Sequence, residues 1–302
     1  MEYCKIEKDF PCLKDSAVTL GKFDGIHRGH RTLLGSILAQ KERGKPAVVV
    51  AFDTGSKMIL SHMERRTLLE QMGVDLLLEC PLTRWIRCMS PEEFVKKILL
   101  DRLHASYVAV GEDYRFGYER AGTATMLLEM GKRYGFETVI LPKEMEGNRK
   151  VSSTYIREAL AAGDVEKAGH LLGIPFFVEG FVTHGRGIGH KKLLPTVNVI
   201  PSEEKIMPPN GVYMTVSSFG EKRYAGITNI GYKPTVGGEP FLGVETFLFG
   251  CEEELYGKPC RTDFYHYSRP EKKFSSLEEL RCQLRQDAED GKAYFGKNRV
   301  DK

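Results

Sequence analysis

Long apolar runs, paired cysteines and a strong net charge are all missing from this sequence of 302 residues. Apolar runs near the N-terminus, such as residues 48–52, are far too short to span a bilayer, and the first residues are charged. The net charge of +3 is too small to indicate a nucleic-acid surface. We therefore expect a cytoplasmic protein with no nucleic-acid partner, no membrane association and no obligate protein partner.

The seven cysteines contain no CxxC pair, and their odd number leaves one without a partner. This usage favours reduced thiols over a disulfide framework or a zinc site. Internal repeats and low-complexity segments are also missing. A content of 41% hydrophobic and 28% charged residues is typical of folded domains, and the length allows two of ordinary size.

In the first half, apolar strand patterns alternate with helical patterns, which predicts an α/β domain with a parallel sheet. Ser90-Pro-Glu-Glu93 combines an N-cap, a proline at the first helical position and a capping-box glutamate. The predicted strands are 17–20, 47–52, 76–78, 107–110 and 138–141, and the predicted helices are 31–41, 64–72, 90–103 and 125–134.

The composition changes after residues 172–175, where short strands separated by Gly, Pro and Asn turns replace the helices. This pattern predicts an antiparallel β-barrel, with strands at 176–182, 196–200, 211–217, 224–227, 244–249 and 261–267. A last helix is predicted from a capping box at Ser275 and Glu278, with an apolar stripe for the barrel formed by Leu277, Leu280, Leu284 and Ala288. The expected domains are 1–172 and 176–302.

A glycine-rich turn between the first strand and the first helix carries two histidines, His27 and His30. Gly21, Gly25 and Gly29 allow the backbone to approach a ligand closely, and the N-terminus of the following helix favours an anion. Imidazole groups can donate hydrogen bonds to oxygens that gain charge in a transition state. The turn therefore predicts a phosphate site.

Two further segments of the first half are candidates for ligand contact. Ser153, Thr154 and Arg157 begin a helix, where hydroxyl, N–H and guanidinium groups can hold a polyphosphate, although plain N-capping would explain the same residues. The loop 111–117 follows a strand at its carboxyl end, where ligands of parallel sheets bind, but it could also be a simple connection.

With these residues in view, the sequence resembles a known family, the bacterial bifunctional riboflavin kinase/FAD synthetases, over nearly its whole length. The N-terminal half resembles an HxGH nucleotidyltransferase through Gly21-x-Phe23-Asp24-Gly25-x-His27-x-Gly29-His30 and Ser153-Thr154-x-Ile156-Arg157. The C-terminal half resembles the riboflavin kinase module through Gly180-x-Val182-x-His184-Gly185, Pro195-Thr-Val-Asn198, Asn210-Gly-Val-Tyr213 and Val244-Glu245. The resemblance implies a Rossmann-like nucleotidyltransferase followed by a barrel.

For the first half, the resemblance implies that His27 and His30 stabilise the α-phosphoryl group of ATP while FMN attacks it and pyrophosphate leaves. Such a transfer depends on positioning and charge stabilisation more than on covalent chemistry. The nucleotide contacts implied by the resemblance are Gly21, Phe23, Asp24, Gly29, Ser153, Thr154 and Arg157, and the flavin contacts are Gly111, Asp113, Phe116 and Gly117.

For the second half, the resemblance implies that Thr196 and Asn198 hold Mg²⁺ and the ATP phosphates, and that Glu245 is the base that activates riboflavin. Strand alternation independently places Glu245 on the same face as two phenylalanines, which is costly for a carboxylate unless it serves a partner or a ligand. An edge-strand glutamate that reaches solvent is the alternative. The remaining implied contacts are a nucleotide-covering loop with Gly185, Gly187 and Gly189, and Arg269 near the flavin.

The sequence departs from the family pattern in two loops. Residues 53–58 replace a Pro-His-Pro element, and residues 190–194 lack the usual Arg and Gly-Phe pair, so that Leu193 adds bulk near the phosphates. We expect riboflavin, FMN, FAD and ATP as the small-molecule partners. The alternatives are that only one half is active, that the chain is an HxGH transferase for other nucleotides, or that it is a flavin-binding regulator.

Overall fold

The computed structural model of the protein describes residues 1–6, 10–53, 55–183, 196–233 and 241–297. The chain divides into two compact units, Met1–Ser153 and Thr154–Lys302. Among the described residues, no helix combines the length and the apolar composition that crossing a membrane requires. The cysteines are free thiols, as expected from their spacing. Cys80 and Cys260 are buried.

The first unit alternates strands and helices. Its strands are β1 Glu2–Lys5, β2 Ser16–Gly21, β3 Ala47–Asp53, β4 Leu76–Pro81, β5 Ala105–Gly111, β6 Arg115–Phe116, β7 Gly122–Thr123, β8 Glu137–Leu141, β9 Met145–Glu146 and β10 Arg149–Lys150. Its helices are α1 Arg28–Leu38, α2 His62–Gln71, α3 Arg84–Arg87, α4 Pro91–Phe94 and α5 Ala124–Tyr134, with 3₁₀ segments at Ala39–Arg43 and Tyr118–Arg120 and a π-helical segment at Val95–Leu100.

Six of these strands form a parallel sheet in the order β1-β4-β3-β2-β5-β8. The central strand β3 is buried from residue 47 to residue 51, as expected where helices cover both faces of a parallel sheet. The chain moves from β2 to β3 and β4 on one side and then returns to β5 on the other side of β2. The strand order therefore reverses beside β2, and ligands of such sheets bind at the carboxyl ends of the strands at this point.

The second unit begins with the helices α6 Ser153–Ala161 and α7 Val165–Leu172, and α6 straddles the boundary at Ser153. Its strands are β11 Phe176–Phe181, β12 Thr196–Val199, β13 Gly211–Phe219, β14 Lys222–Lys233, β15 Phe241–Leu248 and β16 Pro259–Pro270, followed by the helix α8 Leu277–Lys297. Helix α7 packs against β11 and β16, so it is part of this unit by contact. The boundary between the two functional domains, expected between residues 172 and 176, stays a prediction.

The six strands pair antiparallel in the order β11-β16-β13-β14-β15-β12. The ends of this order meet, because Thr183, just after β11, forms a bridge with Asn198 of β12. The amide N–H of Thr183 donates to the carbonyl of Asn198 at 2.8 Å. This bridge closes the barrel that the sequence predicts.

Helix α8 covers one side of the barrel with a cluster of apolar side chains. Ala288, Tyr294 and Phe295 pack against the buried side chains of Val212 and Ile227. Two details of helix α8 differ from the prediction. The N-cap is Ser276, which accepts from the amide of Glu279 at 3.1 Å, one residue later than expected, and Leu277 is 68% exposed instead of packing on the strands.

Candidate active sites

The glycine-rich turn connects β2 to α1 at the reversal point of the parallel sheet. Helix α1 begins at Arg28, three residues earlier than predicted, because His27 itself is the N-cap. The Nδ1 atom of His27 accepts a hydrogen bond from the backbone N–H of His30 at 3.4 Å. The first free amides of α1 and the positive end of its dipole thus lie beside both imidazoles.

The two imidazole rings stack on each other, with 3.7 Å between their centroids and 20° between their planes. The ring of Phe23 packs on His30, with 4.7 Å between the two ring centroids. The Nδ1 atom of His30 is buried and has no hydrogen-bond partner among the residues described. A buried polar atom of this kind needs a partner, and a ligand can supply it.

Burial is the main reason why both imidazoles stay neutral. Loss of solvent lowers the pKa of His27 to about 4, although the nearby carboxylate of Asp24 opposes this effect. The pKa of His30 lies well below its usual value because of burial and of repulsion from a charged His27. At neutral pH the pair therefore consists of neutral groups that can each donate one hydrogen bond.

Asp24 connects the turn to two other loops at the same edge of the sheet. Its side-chain Oδ1 accepts from the backbone N–H of Ile59 at 2.6 Å, and its carbonyl accepts from the hydroxyl of Ser153 at 2.9 Å. Asp24 is buried. The carboxylate predicted as a nucleotide contact therefore holds the loops that follow β2 and β3 together.

The backbone of the turn lies in an unusual conformation. Gly25 has a φ of +99°, which only glycine adopts without strain, and Phe23 and Ile26 both have a φ of +48°. Non-glycine residues are rare in this region, and such strain clusters at functional sites. The close contacts of Phe23 and Ile26, both fully buried, hold the strained backbone in place.

A short hairpin, β9 and β10, is attached to the first turn of α1. Arg28 donates to the carboxylate of Glu146 at 3.0 Å and to the carbonyl of Met145 at 3.1 Å. Thr32 donates to the carboxylate of Glu144 at 3.3 Å. These contacts position the segment after β8 beside the helix N-terminus.

A buried ionic network supports the turn from the other side. The guanidinium of Arg65 contacts the carboxylate of Glu79 and donates to the carbonyl of Lys22 at 3.4 Å. Tyr3 and His62 also bond to this carboxylate, at 2.7 and 2.6 Å. Burial favours the neutral acid, but these hydrogen bonds and the charge of Arg65 outweigh it and lower the pKa of Glu79.

The predicted flavin loop follows β5 at the same edge of the sheet. Asp113 is exposed and pairs with Lys143 and Lys150, at 3.5 and 3.8 Å. Phe116 is buried and its ring stacks on Tyr114. Gly117 has a φ of +73°, and a Cβ there would lie 2.7 Å from the backbone of a proline in α4. The structure thus gives Phe116 a packing role.

The remaining candidates of the first half lie on α6 and on the loop after β3. Thr154 and Arg157 follow Ser153 in the first turns of α6. In the altered loop, Asp53 accepts from the amide of Gly55 at 2.8 Å. Gly21, Gly29 and Gly111 lie at the end of β2, in the first turn of α1 and at the end of β5.

In the second unit, a cavity of about 450 Å³ lies between the barrel and α8. Glu245 and Phe247 line it together, as the strand alternation predicted, and Phe274 borders it from the segment before α8. Further lining residues include Thr196, Asn229, Arg269, Leu280, Leu284 and Asp287. The cavity thus combines apolar walls with charged side chains, among them the carboxylate of Glu245.

Glu245 is surrounded by polar side chains on one face of the sheet. It is directly opposite Asn198 on β12, and one of its oxygens accepts from the hydroxyl of Thr196 at 3.1 Å. The ammonium of Lys233 lies 2.7 Å from the other carboxylate oxygen and 2.7 Å from Oδ1 of Asn198. Thr196, Asn198, Lys233 and Glu245 therefore form one polar cluster.

Arg269 is bound to α8. Its Nε and Nη2 atoms donate to the two carboxylate oxygens of Asp287 at 2.8 and 2.6 Å, and Nη1 donates to the carbonyl of Pro270. The hydrogen bonds raise the pKa of Arg269, although burial opposes them. The residue predicted as a flavin contact borders the cavity and holds the last helix against the barrel.

A second cavity, of about 500 Å³, lies on the other side of Thr196. Val182, Val197 and the segment 251–256 line it. Thr196 borders both cavities, so a phosphate held at this residue could face both. Gly185, Gly187, Gly189 and the altered segment 190–194 lie outside the described residues.

The parallel-sheet unit with a histidine pair at a helix N-terminus, joined to a barrel with a carboxylate cavity, defines a two-domain transferase. The family models for FAD synthetase and riboflavin kinase match residues 9–155 and 172–295. The bifunctional riboflavin kinase/FMN adenylyltransferase of Escherichia coli K12 is 34% identical over 92% of both chains. The enzyme of the same name from Listeria monocytogenes is 32% identical over 94% of this chain and 93% of its own.

The chain therefore belongs to the family of bifunctional riboflavin kinase/FMN adenylyltransferases. A crystal structure described as a macrolide-efflux protein from Streptococcus pneumoniae has the same fold, with a TM-score of 0.81 and 29% identity over 95% of this chain and 97% of that one. The two sequence relatives and the two family models agree with each other.

Sequence reasoning did not find several residues of these sites. Lys233 lies four residues after Asn229 on β14, so strand alternation could have placed it on the face of Glu245. The hydrogen bond from Ile59 to Asp24 and the pair between Arg269 and its partner on α8 had no local signal. Such contacts become visible only when the fold is known.

Proposed function

We propose that the chain transfers the γ-phosphoryl group of ATP to riboflavin, giving FMN and ADP, and then transfers AMP from a second ATP to FMN, giving FAD and pyrophosphate. The family and the names of the two relatives support both steps. The observation that carries the kinase step is Thr196, which borders both barrel cavities beside Glu245. The cavities have room for a flavin and a nucleotide, one on each side.

In the kinase step, Glu245 accepts the proton of the ribityl hydroxymethyl group. The oxygen then attacks the γ-phosphorus of ATP, the bond to the β,γ-bridging oxygen breaks, and ADP leaves. A base must lie within hydrogen-bond reach of the proton that it takes, and the carboxylate of Glu245 lines the cavity that would hold the flavin, which supports this role. The apolar wall with Phe247 suits an isoalloxazine ring.

Mg²⁺ fits the residues around Glu245, and ATP is the co-substrate of both steps. The hydroxyl of Thr196, the amide oxygen of Asn198 and a carboxylate are the hard oxygen donors that Mg²⁺ prefers. Thr196 and Asn198 would hold the ion, which would neutralise charge on the transferring phosphates.

In the adenylylation step, His27 and His30 donate hydrogen bonds to the α-phosphoryl oxygens as these gain charge. The phosphate of FMN attacks the α-phosphorus, the bond to the α,β-bridging oxygen breaks, and pyrophosphate leaves without a covalent enzyme intermediate. Neutral imidazoles at a helix N-terminus support this role, because they stabilise charge that develops during the reaction.

We assign 1–172 to the adenylyltransferase and 176–302 to the kinase. Gly21, Phe23, Asp24 and Gly29 would shape the nucleotide site, and Ser153, Thr154 and Arg157 would hold the phosphates. Gly111, Asp113 and Gly117 would border the flavin in the first domain. Arg269 would border the flavin cavity of the barrel. In the first domain, Phe116 would support the loop 111–117 by its packing.

The test is chromatography of the products formed by the full chain from riboflavin, ATP and Mg²⁺. We expect both FMN and FAD, with ADP and pyrophosphate in matching amounts. FMN alone, or FAD formed only from supplied FMN, would show that one half is active. Flavin binding without consumption of ATP would support a regulator and contradict the proposal.

A further inference from the structure

The polar cluster of the barrel contains a cation of its own. The ammonium of Lys233 lies 2.7 Å from both Oδ1 of Asn198 and one carboxylate oxygen of Glu245. Lys233 is the last residue of β14, and its side chain is 24% exposed. A positive charge therefore lies between the amide and the carboxylate that the proposed function assigns to the kinase reaction.

The amide oxygen of Asn198 is suited to a divalent cation as well as to an ammonium group. Carboxylate and amide oxygens are typical Mg²⁺ ligands, and Mg²⁺ demands a nearly ideal arrangement of its ligands at short distance. An ammonium group and a divalent ion cannot both approach the same lone pairs, because they repel each other and compete for the same space. Occupation by one excludes the other.

Lysine is suited to such an exchange. Its ammonium is a compact charge on a flexible stem of four carbons, and partial exposure gives the side chain solvent to move into. Thr196 keeps its hydrogen bond to the other carboxylate oxygen, so Glu245 stays oriented when the lysine leaves.

We propose that Lys233 is a resident counter-cation of the kinase site, which holds Asn198 and Glu245 until a divalent cation enters and displaces it. The proposal rests on the proposed kinase function. Lys233 is a positioning residue in this scheme, and it sets the concentration of metal at which the site fills.

The first test measures Mn²⁺ binding to the full chain by electron paramagnetic resonance, without nucleotide. If Lys233 occupies the oxygens about nine-tenths of the time, Lys233→Met should lower the apparent Kd of the barrel site about tenfold. The double variant with Asn198→Ala and Glu245→Gln defines binding elsewhere on the chain. Lys97→Met, which removes an exposed lysine from its pair with Glu93, is the matched control and should change nothing.

Unchanged or weaker Mn²⁺ binding by Lys233→Met would overturn the proposal, because the lysine would then not compete with the metal. A second measurement uses the wild-type chain, so it remains valid if Lys233→Met does not fold. Acylation of lysines, followed by mass spectrometry of the wild-type chain, should increase at Lys233 as Mg²⁺ is added and stay constant at Lys97. A constant yield at Lys233 would also overturn the proposal.

Failure of this proposal can be told apart from failure of the proposed function. If the wild-type chain forms FMN from riboflavin and Mg·ATP while Lys233→Met shows unchanged Mn²⁺ binding, the kinase stands and the counter-cation does not. If the wild-type chain forms no FMN, the kinase assignment fails, and the Mn²⁺ comparison then decides only whether a cation site exists.

Discussion

At the scale of single residues, the proposed adenylyltransferase site contains two imidazoles that are buried and neutral. Their pKa values lie below the usual value because solvent is excluded from the stacked rings. A neutral histidine can donate to a phosphate without bringing a full charge into a buried place, which would cost free energy. The same burial makes the stability of the first unit sensitive to acid.

We expect the free energy of unfolding of the first unit to fall between pH 6.5 and pH 4. In this range the unfolded chain binds protons at both histidines, whereas the folded His27 binds one only near pH 4. The effect of His27 is of the order of 3 kcal/mol. Urea unfolding followed by the fluorescence of Trp85, the single tryptophan of the chain, would measure it.

The double variant His27→Gln/His30→Gln should lose most of this pH dependence. His104→Asn, which changes an exposed histidine of the same unit, should keep it. An equal slope against pH in the double variant and the wild type would show that other groups cause the acid sensitivity.

Single substitutions should also separate the two activities. His30→Ala should reduce FAD formation from FMN by about two to four orders of magnitude, and Glu245→Gln should reduce riboflavin phosphorylation by a similar factor. Each variant should keep the other activity, measured by initial rates of product formation. His266→Ala and Glu289→Gln are controls of the same residue types. Loss of both activities from a folded variant would contradict the assignment of two sites.

Asp24→Ala should destabilise the first unit, because it removes a buried carboxylate that accepts a hydrogen bond from the N–H of Ile59. We expect a loss of about 1–3 kcal/mol in unfolding free energy and a lower rate of FAD formation, with riboflavin phosphorylation unchanged. Asp101→Ala, at an exposed position of the same unit, is the control. A stable variant with full FAD synthesis would show that this bond does not organise the turn.

At the scale of secondary structure elements, the pair between Arg269 and Asp287 holds α8 beside the proposed flavin cavity. The side chain of Asp287 is only 2% exposed, so its removal leaves a partly buried guanidinium without a counter-charge. Because Arg269 keeps some contact with solvent, we expect Asp287→Ala to cost about 2–3 kcal/mol, below the value for a fully buried pair.

The same substitution should raise the KM for riboflavin, because α8 would no longer be fixed over the cavity. Steady-state kinetics of FMN formation would measure this, and FAD formation from supplied FMN should not change. Asp290→Ala is the matched control, since Asp290 is exposed on the same helix and bonds only to Gln286 among the described residues. An unchanged KM would show that the helix stays in place without the ion pair.

Most of the longer elements could be predicted, because helix caps and apolar periods are encoded by neighbouring residues, whereas β1 and α7 were not predicted. The capping box at Ser90 and Glu93 is formed as predicted, since its two hydrogen bonds join residues three apart. The cap of α8 was shifted by one residue, because Ser275 and Ser276 are equivalent in a pattern and only the fold distinguishes them.

At the scale of the whole molecule, the proposed function places the two reactions at separate sites. A mixture of the His30→Ala and Glu245→Gln variants should therefore form FAD from riboflavin, although neither variant does so alone. The first would supply FMN to the solution and the second would adenylylate it, which chromatography over time would follow. Failure of the mixture, with both partial activities intact, would show that FMN is not released between the sites.

The two-domain fold could be predicted because its signals repeat along the chain, whereas the sites could be predicted only in part. The turn with His27 and His30 is a single segment, so its position at a helix N-terminus follows from its own sequence. The contact between Asp24 and Ser153 joins residues 129 positions apart, and no local pattern encodes it. Arg269 shows the same limit, because its partner lies on another element.

The bridge between Thr183 and Asn198 is the seam at which the two ends of the barrel sheet meet. Asn198, which lies in this seam, is also a proposed ligand of Mg²⁺. The backbone carbonyl of Asn198 accepts the N–H of Thr183, so we expect a ligand that fixes the amide oxygen of Asn198 to stabilise this hydrogen bond as well. Deuterium uptake at the Thr183 amide should accordingly slow when magnesium and ADP are added together. The opening of the seam would then report on the filling of the kinase site from outside it.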